Sequence, residues 1–462
     1  MRGPLKRSHE ATEQAALEAS RGGTRAASSW RNFLVWLGPA LMVSIAYMDP
    51  GNYGTDIAAG AGFKYDLLWA GWLASGMAML LQYLSGKLGV ASGYSLPELV
   101  RLSLVKRRYV IPYWLAAEVA AAATDLAEYL GTVIGLNLLF GVPLLYASIF
   151  GALDVIVLLA MMGRRFRIIE QYFALLISVL VLGILYNLVV VGPDLSQVAF
   201  HSIVPLIPSN DALLIAVGMV GATVMPHALF VHSWLAKNKM DLLGKKIVRT
   251  SDSPETLSTA ITDSMNPMAD RHPFTSQEIE KTRRVHLVET VVCLIVAAVV
   301  NAGILLVAIP LYPNVGITID GFVAGIGKLF GPIVGIVFVF TLLASGLSAS
   351  ALGTIAGQVI MEGLIGKRWN VWVRRIVTRG INVFPVTAAI LLGFDPLSLL
   401  IYSQVVLSLL IPLPMIPLVY YTSKRKFMGA FVNRRSTTVL ALTTILVILA
   451  FNGLLIYSTF VP

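Results

Sequence analysis

Charge is what this sequence has least of. Asp, Glu, Lys and Arg make up only 13% of its 462 residues, about half the share in an ordinary soluble domain. Hydrophobic residues make up 56%, more than a soluble core of this size can hide. A water-soluble domain is therefore excluded. Cysteine is nearly absent as well: Cys293 stands alone, which rules out a disulfide framework. There is no His-Glu-x-x-His pair, which argues against a membrane-embedded metalloenzyme. There is no glycine-rich phosphate loop, so ATP driving within the chain is unsupported. The first thirty residues are polar, so no cleavable leader is expected, and the first apolar block serves as the membrane signal.

What is there is a series of long apolar blocks, several exceeding the roughly 20 residues a helix needs to cross a bilayer. Spans are read near 33–61, 67–91, 111–140, 143–162, 168–191, 211–236, 286–310, 330–365, 375–393, 396–421 and 436–460. Backbone groups in lipid must bond within their own segment, which makes these spans helices. The third and eighth are longer than one crossing requires. The net charge of +10 comes from basic residues gathered on one side, so no nucleic-acid partner is expected. With the N-terminus inside, 31 of the 35 Lys and Arg fall on inner segments, two (Lys64 and Lys328) outside, and two (Lys87 and Arg379) within spans. That bias predicts a multi-pass cell-membrane protein, N-terminus cytoplasmic and C-terminus extracytoplasmic. The stretch 237–285 reads as a polar cytoplasmic connector.

Two spans are interrupted alike. The first holds Asp49-Pro50-Gly51-Asn52 and the sixth holds Gly221-Ala222-Thr223-Val224-Met225-Pro226-His227. Proline removes a backbone donor and clashes with the preceding turn. Unwound backbone survives at membrane depth only against protein or a water-filled cavity. Each break opens a set of five spans, and five is odd, so the two sets enter from opposite sides. The expectation is an all-α integral membrane protein of eleven helices with a 5+5 inverted repeat and its substrate site at the paired breaks. The divisions follow: a tail at 1–32, repeats at 33–191 and 192–421, and an eleventh helix in 422–462.

Asp49 is a charge at membrane depth, where such residues are rare and functional. Asn52 offers an amide oxygen, Ala222 a freed carbonyl and Met225 a thioether. Together they describe a cation site. Hard Mg²⁺ and Ca²⁺ take oxygen alone, whereas Mn²⁺, Fe²⁺, Co²⁺ and Cd²⁺ tolerate sulfur.

Further motifs carry a resemblance. Thr55-Asp56-Ile57-Ala58-Ala59-Gly60 follows the first break, and His232-Ser233 follows the second. Others are Ala123-Thr124-Asp125-Leu126-Ala127-Glu128, Leu343-Ala344-Ser345-Gly346 and Ser403-Gln404-Val405-Val406-Leu407-Ser408. With the two breaks, these resemble the signatures of the Nramp metal-ion transporters across about 33–420. The resemblance implies a LeuT-type fold and uptake of Mn²⁺ or Fe²⁺ with protons. It implies Asp49, Asn52, Ala222 and Met225 as metal ligands, with Gln404 as a further one. Separately, no permanently bound cofactor is expected, and the chain is expected to be monomeric. The chain departs from the family pattern at Ala228 and Leu347, neither a ligand position. The rival expectation is a transporter of the same architecture for Mg²⁺ or an organic solute.

For protons, Glu118, Asp125 and Glu128 lie seven and three residues apart, on one stripe of the third span. Arg379, inside the ninth span, needs a counter-charge and is expected to pair with that stripe. The resemblance places Asp125, Glu128 and Arg379 in a proton-release network; a purely structural ion-pair network remains the alternative. His227 and His232, five apart, point to different faces of a helix and are candidate proton carriers with Asp49. Glu98 reads as an ordinary surface acid, and the remaining histidines show no ligand spacing.

Overall fold

The computed structural model describes residues 46–104, 106–151, 166–250, 275–367 and 369–460. Among them the regular structure is entirely helical. The N-terminal tail, the start of the first span, much of the fourth and the centre of the 237–285 stretch lie outside the described residues.

The first described helix, α1 (Pro50–Phe63), starts at the Asp-Pro-Gly break. It is followed by α2 (Leu68–Ser92), the short α3 (Leu96–Ser103) and α4 (Arg107–Phe140). Next come α5 (Leu144–Gly151), α6 (Phe166–Val191) and α7 (Leu195–His201). The second break separates α8 (Asn210–Val224) from α9 (Pro226–Thr250). Then follow α10 (Ser276–Ala308), α11 (Ile319–Phe330), α12 (Pro332–Ile365) and α13 (Val371–Leu391). The chain closes with α14 (Pro396–Leu410), α15 (Pro412–Thr422), α16 (Arg425–Met428) and α17 (Arg435–Phe460). Six stretches among the described residues are long and apolar enough to cross a membrane. A seventh arises if α6 and α7, bent by 117° at Gly192–Asp194, count as one.

The ends of these helices follow local chemistry. Ser209 caps α8, its hydroxyl accepting from Ala212 N at 3.2 Å. Thr275 and Glu278 form a reciprocal capping box at the start of α10. Asp395 caps α14 ahead of Pro396, whose missing N–H is harmless in a first turn. The stretch read as a connector is shorter than its composition implies. The polar run to Thr250 continues α9, and Ser276 already begins α10. Polarity there marks helix leaving the apolar layer rather than loop.

Helices α1 and α8 sit at the centre. Every residue of α1 is buried, as is every residue of α8 from Ile215 to Val224. Around them α4 packs along α12, α2 along α9 and α10, and α8 along α14. Lipid tails are as apolar as leucine, so close approach rather than water exclusion holds such helices together. The outer faces bear the opposite pattern, with Leu182, Val189, Phe384, Leu446 and Phe460 exposed.

Candidate functional site

The first break is built around Asp49. It sits in extended backbone as the N-cap of α1. Its Oδ1 accepts from the Asn52 amide N–H at 3.0 Å and from Asn52 Nδ2 at 2.8 Å. Oδ2 of this fully buried carboxyl has no hydrogen-bond partner among the described residues. The carbonyls of the unwound turn are met by polar side chains from neighbouring helices. Asn301 Nδ2 of α10 donates to Tyr47 O at 3.0 Å, and Ser345 Oγ of α12 donates to Met48 O.

At the second break a single residue, Met225, leaves the helix, with φ 33° and ψ 102°. A side chain other than glycine is disfavoured at positive φ, and such local strain persists only where the surroundings impose it. Pro226 imposes it here. Lacking an N–H, it cannot satisfy the carbonyl of Ala222 four residues earlier. That carbonyl finds Asn52 Nδ2 at 3.4 Å instead, and Thr223 Oγ1 donates to Asn52 Oδ1 at 3.2 Å. Asn52 thus ties the two breaks together.

Gln404 of α14 closes the third side. It is fully buried; its Nε2 donates to Ser403 Oγ at 2.9 Å, and its Oε1 has no partner among the described residues. Glycine is required on α8 at Gly221, where the opposing atoms are backbone, and at Gly51 it leaves room for the end of the Gln404 side chain. A Cβ on Gly51 would collide with the Gln404 amide, and one on Gly221 would collide with the Gln404 carbonyl. Asp49, Asn52, Ala222 and Gln404 therefore meet at one place. Met225, with no exposed surface, lies in the adjoining break.

The acid stripe of α4 faces α12 and α13. Glu118 pairs with Arg374 Nη2 at 2.6 Å and accepts from Trp114 Nε1 at 2.8 Å. Asp125 is held by Arg375 and by Asn382 Nδ2 at 2.6 Å, with Arg379 Nη1 at 3.5 Å. Arg379 also donates to Ser350 Oγ at 2.8 Å. Glu128 is 1% exposed, its Oε2 has no hydrogen-bond partner among the described residues, and its carboxyl packs on Gly353. Arg379 does meet the stripe as expected, but Arg375 is the closer partner. Arg374 and Arg375, counted as inner-segment charges, are instead buried in α13 at 5% and 3% exposure. Their long stems carry the guanidinium groups inward to the acids. A cavity of about 480 Å³ runs beside this network, lined by Glu118, Asp125, Arg374 and Arg375 with apolar walls.

The two histidines of α9 part company. Nδ1 of His227 lies 3.0 Å from Thr124 Oγ1, next to Asp125. Nδ1 of His232 lies 2.7 Å from Gln82 Oε1, and Gln82 in turn donates to the Tyr47 hydroxyl. Glu98, read as a surface acid, is paired with Lys237 of α9 at 2.6 Å. Partial burial pushes its carboxyl up, but hydrogen bonds from Lys237 and Ser95 and the Lys237 charge outweigh that and hold it below the usual range.

Sequence reasoning missed Arg374, Arg375, Asn301, Gln82 and Tyr47. Asn301 could have been found as a lone amide in an apolar run. Arg375 could not, because a basic residue at the edge of a span reads as an interfacial charge.

Buried oxygens gathered where helices are interrupted, inside a bundle of membrane-length helices, are the arrangement of a broken-helix membrane transporter, and comparisons with known proteins place the chain in such a class. A family model for Nramp, described as natural resistance-associated macrophage protein-like, matches residues 40–458. The chain belongs to the Nramp family. It is 36% identical to a protein of Granulibacter bethesdensis named divalent metal cation transporter MntH, over 97% of this chain and 94% of that protein. A protein of the same name from Acidiphilium cryptum is 38% identical, with 94% and 92% covered. Among solved structures, a manganese transporter of Eremococcus coleocola, crystallised with an aromatic bis-isothiourea compound, superposes with a TM-score of 0.78 at 29% identity. That match covers 95% of this chain and 88% of the other.

Proposed function

We propose that this chain imports divalent transition-metal ions, Mn²⁺ and Fe²⁺ foremost with Cd²⁺ and Co²⁺ also accepted, together with protons. The observation that carries the reading is the pair of buried, unpartnered oxygens, Asp49 Oδ2 and Gln404 Oε1, beside a helix break that ends in Met225. Burying a carboxylate oxygen without a partner is costly, and a cation is the partner such an oxygen accepts. Asp49, Asn52 and Gln404 would supply oxygen, Ala222 its displaced carbonyl and Met225 a soft sulfur. The names of the relatives point the same way.

Alternating access follows from this reading. The eleven-helix, 5+5 arrangement enters from the cytoplasmic N-terminus, and the half-helices beside the breaks swing against the remaining bundle. Protons leave Asp49 by way of His227 and Thr124 to Asp125, with Glu128, Glu118 and the arginine set about Arg379 as the exit. His232 offers a second branch through Gln82 and Tyr47. Protein in liposomes should take up Mn²⁺ with acidification of the interior and leave Ca²⁺ outside. Equal uptake of Ca²⁺, or Mn²⁺ uptake with no change of internal pH, would overturn the reading.

A further inference from the structure

Apart from the breaks, helices α2, α9 and α10 enclose another pair of ligand-type side chains. His232 of α9 and His286 of α10 meet edge to face, ring centroids 4.7 Å apart at 74°. They are 1% and 5% exposed. The Tyr83 ring of α2 stacks on His286 at 6.3 Å, and the His286 ring occupies the space that a Cβ on Gly86 would need. Nε2 of both histidines has no hydrogen-bond partner among the described residues. Leaving a buried polar nitrogen unsatisfied is costly, and here there are two in contacting rings.

We propose that His232 and His286 form a second metal-ion site, distinct from the breaks, that takes borderline ions such as Co²⁺ and Zn²⁺ through two imidazole nitrogens and water. Ions of this class bind imidazole nitrogen at about 2.0–2.1 Å, so two rings sharing one ion must lie about as near as these do. Glu289, one turn beyond His286, faces Lys239 at 3.6 Å, which balances the local charge. No third His, Cys or acid among the described residues joins the pair in a metal-holding group. Two neutral ligands make a weak site that releases its ion readily, suited to an ion in transit rather than a resident one.

The placement fits that role. His232 lies seven residues beyond Met225 on α9, roughly 10 Å along the helix. Imidazole holds Co²⁺ more strongly than Mn²⁺, so the site delays one class of cargo and passes the other. This part rests on the proposal that metal occupies the breaks.

Calorimetric titration of the full-length protein in detergent with Co²⁺, followed by visible absorption, tests the site. The wild type should bind two Co²⁺ per chain. His286→Phe, which keeps a ring to stack on Tyr83, should bind one, with Mn²⁺ uptake unchanged. Asp49→Asn should lose the other. If the wild type and His286→Phe bind the same single ion and Asp49→Asn binds none, the second site falls and the break site stands. If Asp49→Asn keeps both ions while His286→Phe loses one, the histidine site stands and the reading of the breaks falls. Should His286→Phe unfold, His286→Gln reads the same loss of one equivalent.

Discussion

The two polar regions buried in this bundle are built on opposite plans. Along the face between α4 and α13, two of the three acids carry their own cations: Glu118 has Arg374, and Asp125 has Arg375 and Arg379, while Glu128 lies buried beside them with Oε2 unpartnered among the described residues. At the breaks, Asp49 has only amide donors, and no basic side chain pairs with it among the described residues. Both regions bury carboxylates at membrane depth, so both must neutralise them. The first does so at Glu118 and Asp125 with fixed guanidinium groups that cannot give up a proton. The second leaves one carboxylate oxygen and one amide oxygen without partners. A built-in cation suits a permanent scaffold or a proton exit. A missing one suits a cation that comes and goes.

The contrast can be broken by changing the charge in each region. The largest effect is expected at Asp49. Asp49→Asn keeps the shape of the N-cap but removes the charge, and loss of one partner from a buried charge pair costs about 3 kcal/mol, or about 100-fold in affinity. Mn²⁺ uptake at low concentration should fall by that order while the melting temperature changes little. A large drop in melting temperature with uptake intact would make Asp49 a structural acid and erase the contrast.

At Arg375 the two readouts should reverse. Arg375→Ala strips Asp125 of its nearest partner, and breaking a buried ion pair on one side costs about 3–5 kcal/mol. Thermal stability should fall clearly while metal binding at the breaks persists, because that substitution leaves Asn52 and Gln404 untouched. Loss of Mn²⁺ binding in a folded Arg375→Ala protein would show that the two regions are one.

The same contrast explains what the sequence disclosed. The breaks were legible because their causes are local: Pro50 and Pro226 remove donors within their own turns, and Gly51 and Gly221 lie beside them. Ala222 could be singled out because the donor it lacks belongs to Pro226. The stripe of Glu118, Asp125 and Glu128 was legible from helical spacing. Their partners were not. A basic residue near the end of a span reads as interfacial, so Arg374 and Arg375 passed for loop charges until the packing of α13 on α4 turned them inward. His286 carried no signal either, because its neighbour His232 lies on another helix and shares no ligand spacing with it. The helical character of 237–250 was hidden by polarity, which looks alike in a solvated helix and a loop. Residue chemistry along one helix is visible in sequence; which helix faces which is decided by packing.

In the proposed mode of transport sulfur and carboxylate together hold the ion, and the coordination shell of Cd²⁺ reports on that directly. X-ray absorption on Cd²⁺-loaded protein, in the His286→Phe background so that only the breaks contribute, should show one sulfur among oxygen neighbours. Met225→Ala should remove that sulfur and relax the preference for Mn²⁺ over Ca²⁺ by about tenfold, equivalent to about 1.4 kcal/mol. An all-oxygen shell before and after the substitution, with selectivity unchanged, would contradict the account.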